Sequence, residues 1–499
     1  MTNTLIIMTK HVLVILFLIA YISMSSQETE KISLDQIINL AEKQSLDAFK
    51  AKNMYLANYW EYRSFKATQL PSLDLNLQPI EFRRMMTKRY DFDQNIDIFR
   101  EQKTMESYAN LALSQYIPYT GGTVYIDSDL SRLVNYTEDE VTTFSATLVR
   151  IGLNQPIFGF NEQKWAKKLS PLKFEKAKQE YIQSMQETKL KALDLFFNLL
   201  LVKIQKEIAE SNVATADTLY KVGKRKFAIL STQREELLDL ELSKFNAEIE
   251  VVKANQNLEK AKFSLNSFLG LENTTNKTPI TPSIINDLYI NQQQAIEIAL
   301  KSNPDIIGIK QNQIEADRNL DKAIKENRFS ASLMASFGLN QNAEVLPEAY
   351  INPLDQQVLV FGIKIPILDW GNRKGKKQMA QSNREVTYIE SKQQLSDFKQ
   401  NISLKILDFN LQAKIVQSAA KANDLANESY QLTKKRFLLG EADVLKVTNS
   451  MQARQSAQEK YIISIYTFWK YYYEIQQLTL YDFKENKNIS IEFEKLIEK

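Results

Sequence analysis

Residues 72–78 read SLDLNLQ, with Leu73, Leu75 and Leu77 alternating against Asp74, Asn76 and Gln78. Further on, Ala331, Leu333, Ala335, Phe337 and Leu339 alternate against Ser, Met and Gly. Leu359, Phe361, Ile363 and Ile365 then share one face against Gly362 and Lys364. A period of two with one apolar face predicts half-buried strands. The alternation suits either a sheet packed on a core or a transmembrane barrel with lipid outside and water inside. Between Ser72 and residue 158 a hairpin-like unit, 107–130, carries Gly121-Gly122 at its turn. Tyr90, Phe92, Phe99, Tyr108, Tyr116, Tyr119 and Tyr125 are spread through this region and suit a membrane-interface girdle or ordinary packing.

Elsewhere the pattern changes to helix. Ala177, Tyr181, Met185, Thr188, Ala192, Leu195, Leu199 and Val202 follow at spacings of four and three, a heptad-like seam. Stretches 172–222, 224–269, 376–439 and 441–499 contain neither Gly nor Pro. Uninterrupted helices of that length point to coiled coil or a long bundle. Gly223 and Gly440 each interrupt such a run and are the expected turns of two helical hairpins. Ser33 with Gln36, and Asn291 with Gln294, have capping-box spacing and open helices predicted over 33–70 and 291–327.

The pattern also repeats. Residues 32–47 align without a gap on 290–305, an offset of 258, with Gln36/Gln294, Ile38/Ile296, Ala41/Ala299, Lys43/Lys301 and Asp47/Asp305 identical. Residues 151–168 align on 361–378, an offset of 210, through Gly152/Gly362, Pro156/Pro366, Ile157/Ile367, Lys164/Lys374 and Lys167/Lys377. So long a unit is not a solenoid repeat of about 20–50 residues. It is a duplicated architecture: a first repeat over 27–272 (helix 33–70, strands about 72–158, helical hairpin 161–270) and a linker at 273–288. A second repeat follows over 289–483 (helix 291–327, strands about 330–366, helical hairpin 372–480), with a charged tail at 484–499.

Composition narrows the chemistry. Residues 1–26 have the basic start, apolar core and small-residue end of a secretory signal, so export is expected. The only histidine, His11, lies within it, and there is no cysteine. That removes thiol nucleophiles, histidine bases and the usual zinc ligands. A net charge of +3 gives no reason to expect nucleic acid. No enzyme activity, cofactor or metal is expected.

The order helix, strands, long helical hairpin, linker and the same again resembles the TolC-type outer-membrane efflux factor family, in its Bacteroidetes-like version. ISLDQIINLAEKQS with ATQLPSLDLNLQ, GIKIPILDWGNRKGKK, and KKRFLLGEADVLKVTNSMQARQSAQEKYI carry the likeness. FGFNEQKWAKKLSPLKFEKAKQEY and FWKYYYEIQQLTLYDF extend it over essentially the whole mature chain. The resemblance implies a mainly α fold with a transmembrane β part. The implied fold is a TolC-like trimeric α/β-barrel of long antiparallel coiled-coil helices, with about four barrel strands per chain in a shared barrel of 12. The 107–130 hairpin either enlarges that barrel or lies outside it.

The resemblance also implies an outer-membrane location with a helical tunnel in the periplasm. The partners would be two further copies, a periplasmic adaptor, an inner-membrane transporter and outer-membrane lipid. Val222, Gly223, Leu439 and Gly440 would be the adaptor-docking tips, and Pro156 and Pro366 the strand-to-helix crossings. Asp443 matches the first acidic residue of the family's gate, whereas Lys446 stands where a second would be, which leaves either an ion-paired gate or two merely solvated hairpin charges. The implied function is the passive exit duct of a tripartite efflux pump or type I secretion system. The alternatives are an exported coiled-coil structural or adhesion protein without channel activity, and an exported enzyme acting through carboxylates.

Overall fold

A computed structural model describes residues 30–497 except 93, 137–139, 230–232 and 272–276; the secretory signal expected at 1–26 lies outside the described residues. The principal helices are α1 (Leu34–Gln44), α2 (Leu46–Ala67), α3 (Glu162–Ala228), α4 (Arg234–Leu269), α5 (Gln292–Ser302), α6 (Pro304–Glu326), α7 (Asn372–Leu438) and α8 (Val444–Thr479). The principal strands are β1 (Glu30–Ile32), β2 (Ser72–Asp91), β3 (Ile96–Tyr116), β4 (Thr123–Tyr136), β5 (Glu140–Ile157), β6 (Lys277–Pro279), β7 (Ser330–Ala343) and β8 (Leu354–Lys364). The chain divides into two compact units. One holds the residues up to Tyr55, Lys178–Pro304 and those from Asp397 on; the other holds Leu56–Ala177 and Asp305–Ser396.

Ser33 begins α1 with a complete capping box: its hydroxyl accepts from the Gln36 N–H, and the Gln36 side chain accepts from the Ser33 N–H. Asn291 caps α5 through the Gln294 N–H. The single helices expected over 33–70 and 291–327 are each divided in two, at Ser45 and Asn303. These residues are 258 apart, fully buried and extended in backbone. Pro304 explains the second break, because its ring disfavours helix in the residue before it. Ser45 makes the same break with its side chain, its hydroxyl accepting from the Ala48 N–H to start α2.

The helical hairpins are copies in length. α3 and α7 are each 67 residues, α4 and α8 each 36, and both pairs are offset by 210. The buried positions recur at that offset with side chains of different volume, as in Ala192/Ile402, Phe196/Ile406 and Leu199/Phe409. These side chains join Ile37, Leu265, Phe468 and Tyr472 in one apolar core within the first unit. Phe409 lies 5.1 Å from Phe468, ring to ring, at its centre. The seam from Ala177 to Leu199 is buried or half-buried, and Leu193, Phe196, Phe197 and Leu200 widen it into a stripe. β1 pairs in parallel with β6, so part of the segment expected as a linker is strand.

The second unit is organised on one antiparallel sheet of six strands, in the order β2-β3-β4-β5-β7-β8. About four barrel strands per chain were expected, and the sheet itself has six. The 107–130 hairpin is integral to the sheet: its strands are parts of β3 and β4, and its turn closes where the Ile117 N–H donates to the Gly122 carbonyl at 2.7 Å. The opening helices repeat at 258 and the hairpins at 210, so the first half carries 48 more residues between them. That is the length of two strands with their turns, and it accounts for the enlargement.

Candidate functional site

Directly opposed residues of an antiparallel pair share a face, so the strand register assigns every side chain of the sheet to one of two faces. Leu73, Leu75 and Leu77 oppose Leu113, Leu111 and Ala109. These oppose Ile126, Ser128 and Leu130 on β4, and Ile126 in turn opposes Ile151. Leu153, Ile151 and Val149 oppose Ala335, Phe337 and Leu339, and β7 opposes Ile363, Phe361 and Leu359. One face is thus an apolar band crossing all six strands. Its members are largely exposed, Leu73 at 65% and Leu359 at 75%. Along β7 the band spans Ala331 to Leu339, about 27 Å of strand at ~3.4 Å per residue. Tilted as barrel strands are, that approaches the ~25 Å apolar belt of an outer-membrane barrel. Gln341, Asp355 and Gln357 bound it at one end.

The opposite face is polar. Asp127 and Arg150 face each other across β4 and β5, joined by Nε–Oδ1 at 3.0 Å and Nη2–Oδ2 at 2.5 Å. Asp129 accepts from the same guanidinium at 3.1 Å, and the Asn110 amide donates to Asp127 at 3.0 Å. Asp127 is almost fully buried, so these hydrogen bonds are what make its burial tolerable. The sequence reading missed this cluster; its signal was charge at the polar positions of an alternating segment. Tyr108 and Tyr125 oppose Gln78 and Ser114 on this polar face, and Tyr116 donates to Asn161 at 3.2 Å. The interface-girdle role suggested for these tyrosines therefore does not fit their placement. Beyond the last residue of β4 that pairs with β3, Asn135, the β2–β3 ribbon continues alone and is laced by Arg84–Glu101 and Lys88–Asp97 ion pairs.

Pro156 is the last residue but one of β5, opposite Ser332. Pro366 follows β8, and its carbonyl accepts from the Arg373 guanidinium at 3.0 Å. The two helices that follow start with different caps: Asn161 Oδ1 accepts from the Lys164 N–H, whereas Asp369 accepts from both the side chain and the N–H of Arg373. The Arg373 side chain first, then its N–H, hold the Asp369 carboxyl down at about 2.

The hairpin tips belong to the first unit. Gly223 is not a turn: α3 runs on to Ala228, and residues 230–232 lie outside the described residues. Its lack of a side chain serves close approach, since a Cβ there would stand 2.4 Å from Leu240 of α4. Gly440 is the turn. With φ of +85°, it follows α7 in a Schellman motif: its N–H donates to Phe437 and the Glu441 N–H donates to Arg436. At the 210 offset, Gly440 corresponds to Leu230 and Gly223 to Thr433, so the two glycines are not equivalent. Leu219, Leu240, Phe437 and Val447 form a small buried cluster that joins the two tips, with Val222 packed on it. Leu439 is exposed. Asp443 caps α8 by accepting from the Lys446 N–H at 2.8 Å, and the Lys446 ammonium lies 3.9 Å from its other oxygen.

No family model matches this chain, and no curated protein is detectably similar in sequence. Solved structures are similar. The Campylobacter jejuni CmeC outer membrane channel aligns over 93% of this chain and 88% of its own at 14% identity, with a TM-score of 0.64. The Vibrio cholerae outer membrane protein VceC aligns over 92% and 97% at 11% identity (TM-score 0.61), and CusC over 91% and 94% at 13% (TM-score 0.61). The fold is that of the TolC-type outer-membrane channels. The TolC-type fold places long paired helices and a β part on each chain, as found here, whereas the sheet of this chain is open-edged rather than closed. Among the described residues no helix is long and apolar enough to cross a membrane.

Proposed function

We propose that this chain is a TolC-type exit duct of the outer membrane, passively conducting small molecules or polypeptides from an inner-membrane transporter and periplasmic adaptor to the exterior. One observation carries this reading: the apolar band continuous across all six strands, with a polar face behind it. A soluble sheet would cover such a band with helices or a second sheet; here it is exposed. The duct has no catalytic task and draws its energy from the partner transporter.

Three copies assemble the duct, since one open sheet leaves unpaired edges that lipid cannot satisfy. The joined tips are the surface offered to the adaptor, through Val222 and Leu439 beside Gly223 and Gly440. Asp443 and Lys446 form an ion-paired ring at the gate, a role that must compete with the helix cap Asp443 already provides. Purified protein in a planar bilayer is expected to give discrete ionic conductance and to fractionate with the outer membrane as an oligomer. A soluble periplasmic monomer without conductance would overturn the reading.

A further inference from the structure

The edges of the sheet are its least ordinary feature. Among the described residues β2 is paired only through β3 and β8 only through β7, so each leaves one row of backbone groups open. Both edge strands carry the apolar band, through Leu73, Leu75 and Leu77 on one and Leu359, Phe361 and Ile363 on the other. Six is an even number, and every pairing is antiparallel, so β2 and β8 run in opposite senses. A β8 edge can therefore continue the sheet antiparallel onto the β2 edge of another copy.

The internal duplication supplies the register. β5 and β8 each close the strand region of their half, aligned at 210 through Pro156/Pro366 and Ile157/Ile367. β2 and β7 each open it, beginning at Ser72 and Ser330, 258 apart. The observed β5–β7 pairing is then the within-chain version of the missing β8–β2 pairing. Carried over by these offsets, Leu153 opposite Ala335 becomes Ile363 opposite Leu77, and Asn154 opposite Met334 becomes Lys364 opposite Asn76. The transferred register passes a check it was not built to satisfy. It sets apolar face against apolar face and polar against polar, which a slip of one residue would destroy.

We propose that three copies of this chain close one 18-stranded barrel, each β8 paired to β2 of the next copy with Ile363 opposite Leu77. The count of three rests on the channel reading above, whereas the six strands and the register come from the sheet. Such a barrel is about 1.5-fold wider than one of 12 strands, because diameter grows nearly linearly with strand number.

The chain has no cysteine, so introduced thiols react only with each other. Two double variants of the full chain, Leu77→Cys/Ile363→Cys and Asn76→Cys/Lys364→Cys, cover the hydrogen-bonded and non-hydrogen-bonded pair types. After oxidation in outer membranes, at least one is expected to give a ladder ending at three chains on non-reducing gels. Asn76→Cys/Ile363→Cys, with its thiols on opposite faces, is expected to give none. Electron cryomicroscopy of the unmodified oligomer is expected to count 18 strands, a result independent of how the variants fold. A ladder ending at two chains with 12 strands, or a trimer with 12 strands and β3–β4 outside the barrel, would overturn the proposal and leave the channel reading standing. A monomer without conductance would overturn both.

Discussion

The two halves of this chain agree where they are helical and disagree where they are sheet. Their long helices match residue for residue, 67 with 67 and 36 with 36, whereas four strands in the first half answer two in the second. The difference follows from how each element is constrained. Helices packed side by side must keep length and phase together, since an insertion of one residue rotates every later side chain by about 100°. An antiparallel sheet accepts another hairpin without disturbing its neighbours, provided strands are added in pairs. Duplication therefore fixed the hairpins and left the strand region free to grow.

The largest test falls on the part the halves share. Phe409→Ala, in the core beside Phe468 and Tyr472, is expected to destabilise the fold by about 3–5 kcal/mol, read by denaturant unfolding of the detergent-solubilised protein. Phe409→Leu restores the residue type found 210 positions earlier and is expected to cost far less. Equal losses for the two variants would contradict a tolerance for redistributed volume. The next test separates the two faces of the sheet. Ile151→Arg places a charge in the apolar band and is expected to cost about 2–4 kcal/mol, seen as loss of assembled oligomer from the outer membrane. Asn154→Arg, on the polar face of the same strand, is expected to leave assembly intact.

At the tip the effects are smaller. Asp443→Ala removes the cap of α8 and is expected to cost about 1 kcal/mol. Asp443→Asn keeps a capping side chain and removes only charge. If Asn behaves as the parent in stability but alters cation block of the channel, Asp443 serves the gate as well as the helix; if it changes neither, the cap is its whole role. The smallest effect is a titration. The Asp369 carboxyl, normally near 3.8, is held at about 2 by Arg373. A depressed carboxylate stabilises the folded state above its ordinary value and loses that contribution as pH falls through about 2. Amide-exchange protection at the start of α7 should fall progressively as pH drops from about 4 to about 2, and Asp369→Asn should abolish that dependence.

Much of this was legible in the sequence because it depends on periodicity. The alternation at 72–78, 330–340 and 357–365 gave both the strands and their apolar face, and the absence of Gly and Pro gave the long helices. What was hidden depends on tertiary contacts. The break at Ser45 relies on a buried hydroxyl capping the next helix, which no local pattern marks. A glycine can serve a turn or a close approach, and Gly223 proved to be the second kind. The strand count was hidden because β3 and β4 mix charges such as Asp127, Asp129 and Arg132 into their alternation, and only their pairing explains two of these.

The central claim is that the exposed apolar face meets lipid while the other lines water. Single cysteines placed along Ala331–Asn340 of the reconstituted channel test it most directly, each scored with a water-soluble thiol reagent and a lipid-borne quencher. The account predicts a period of two, with positions 331, 333, 335, 337 and 339 reached from lipid and 332, 334, 336, 338 and 340 from water. Uniform labelling from water along the whole strand would contradict it.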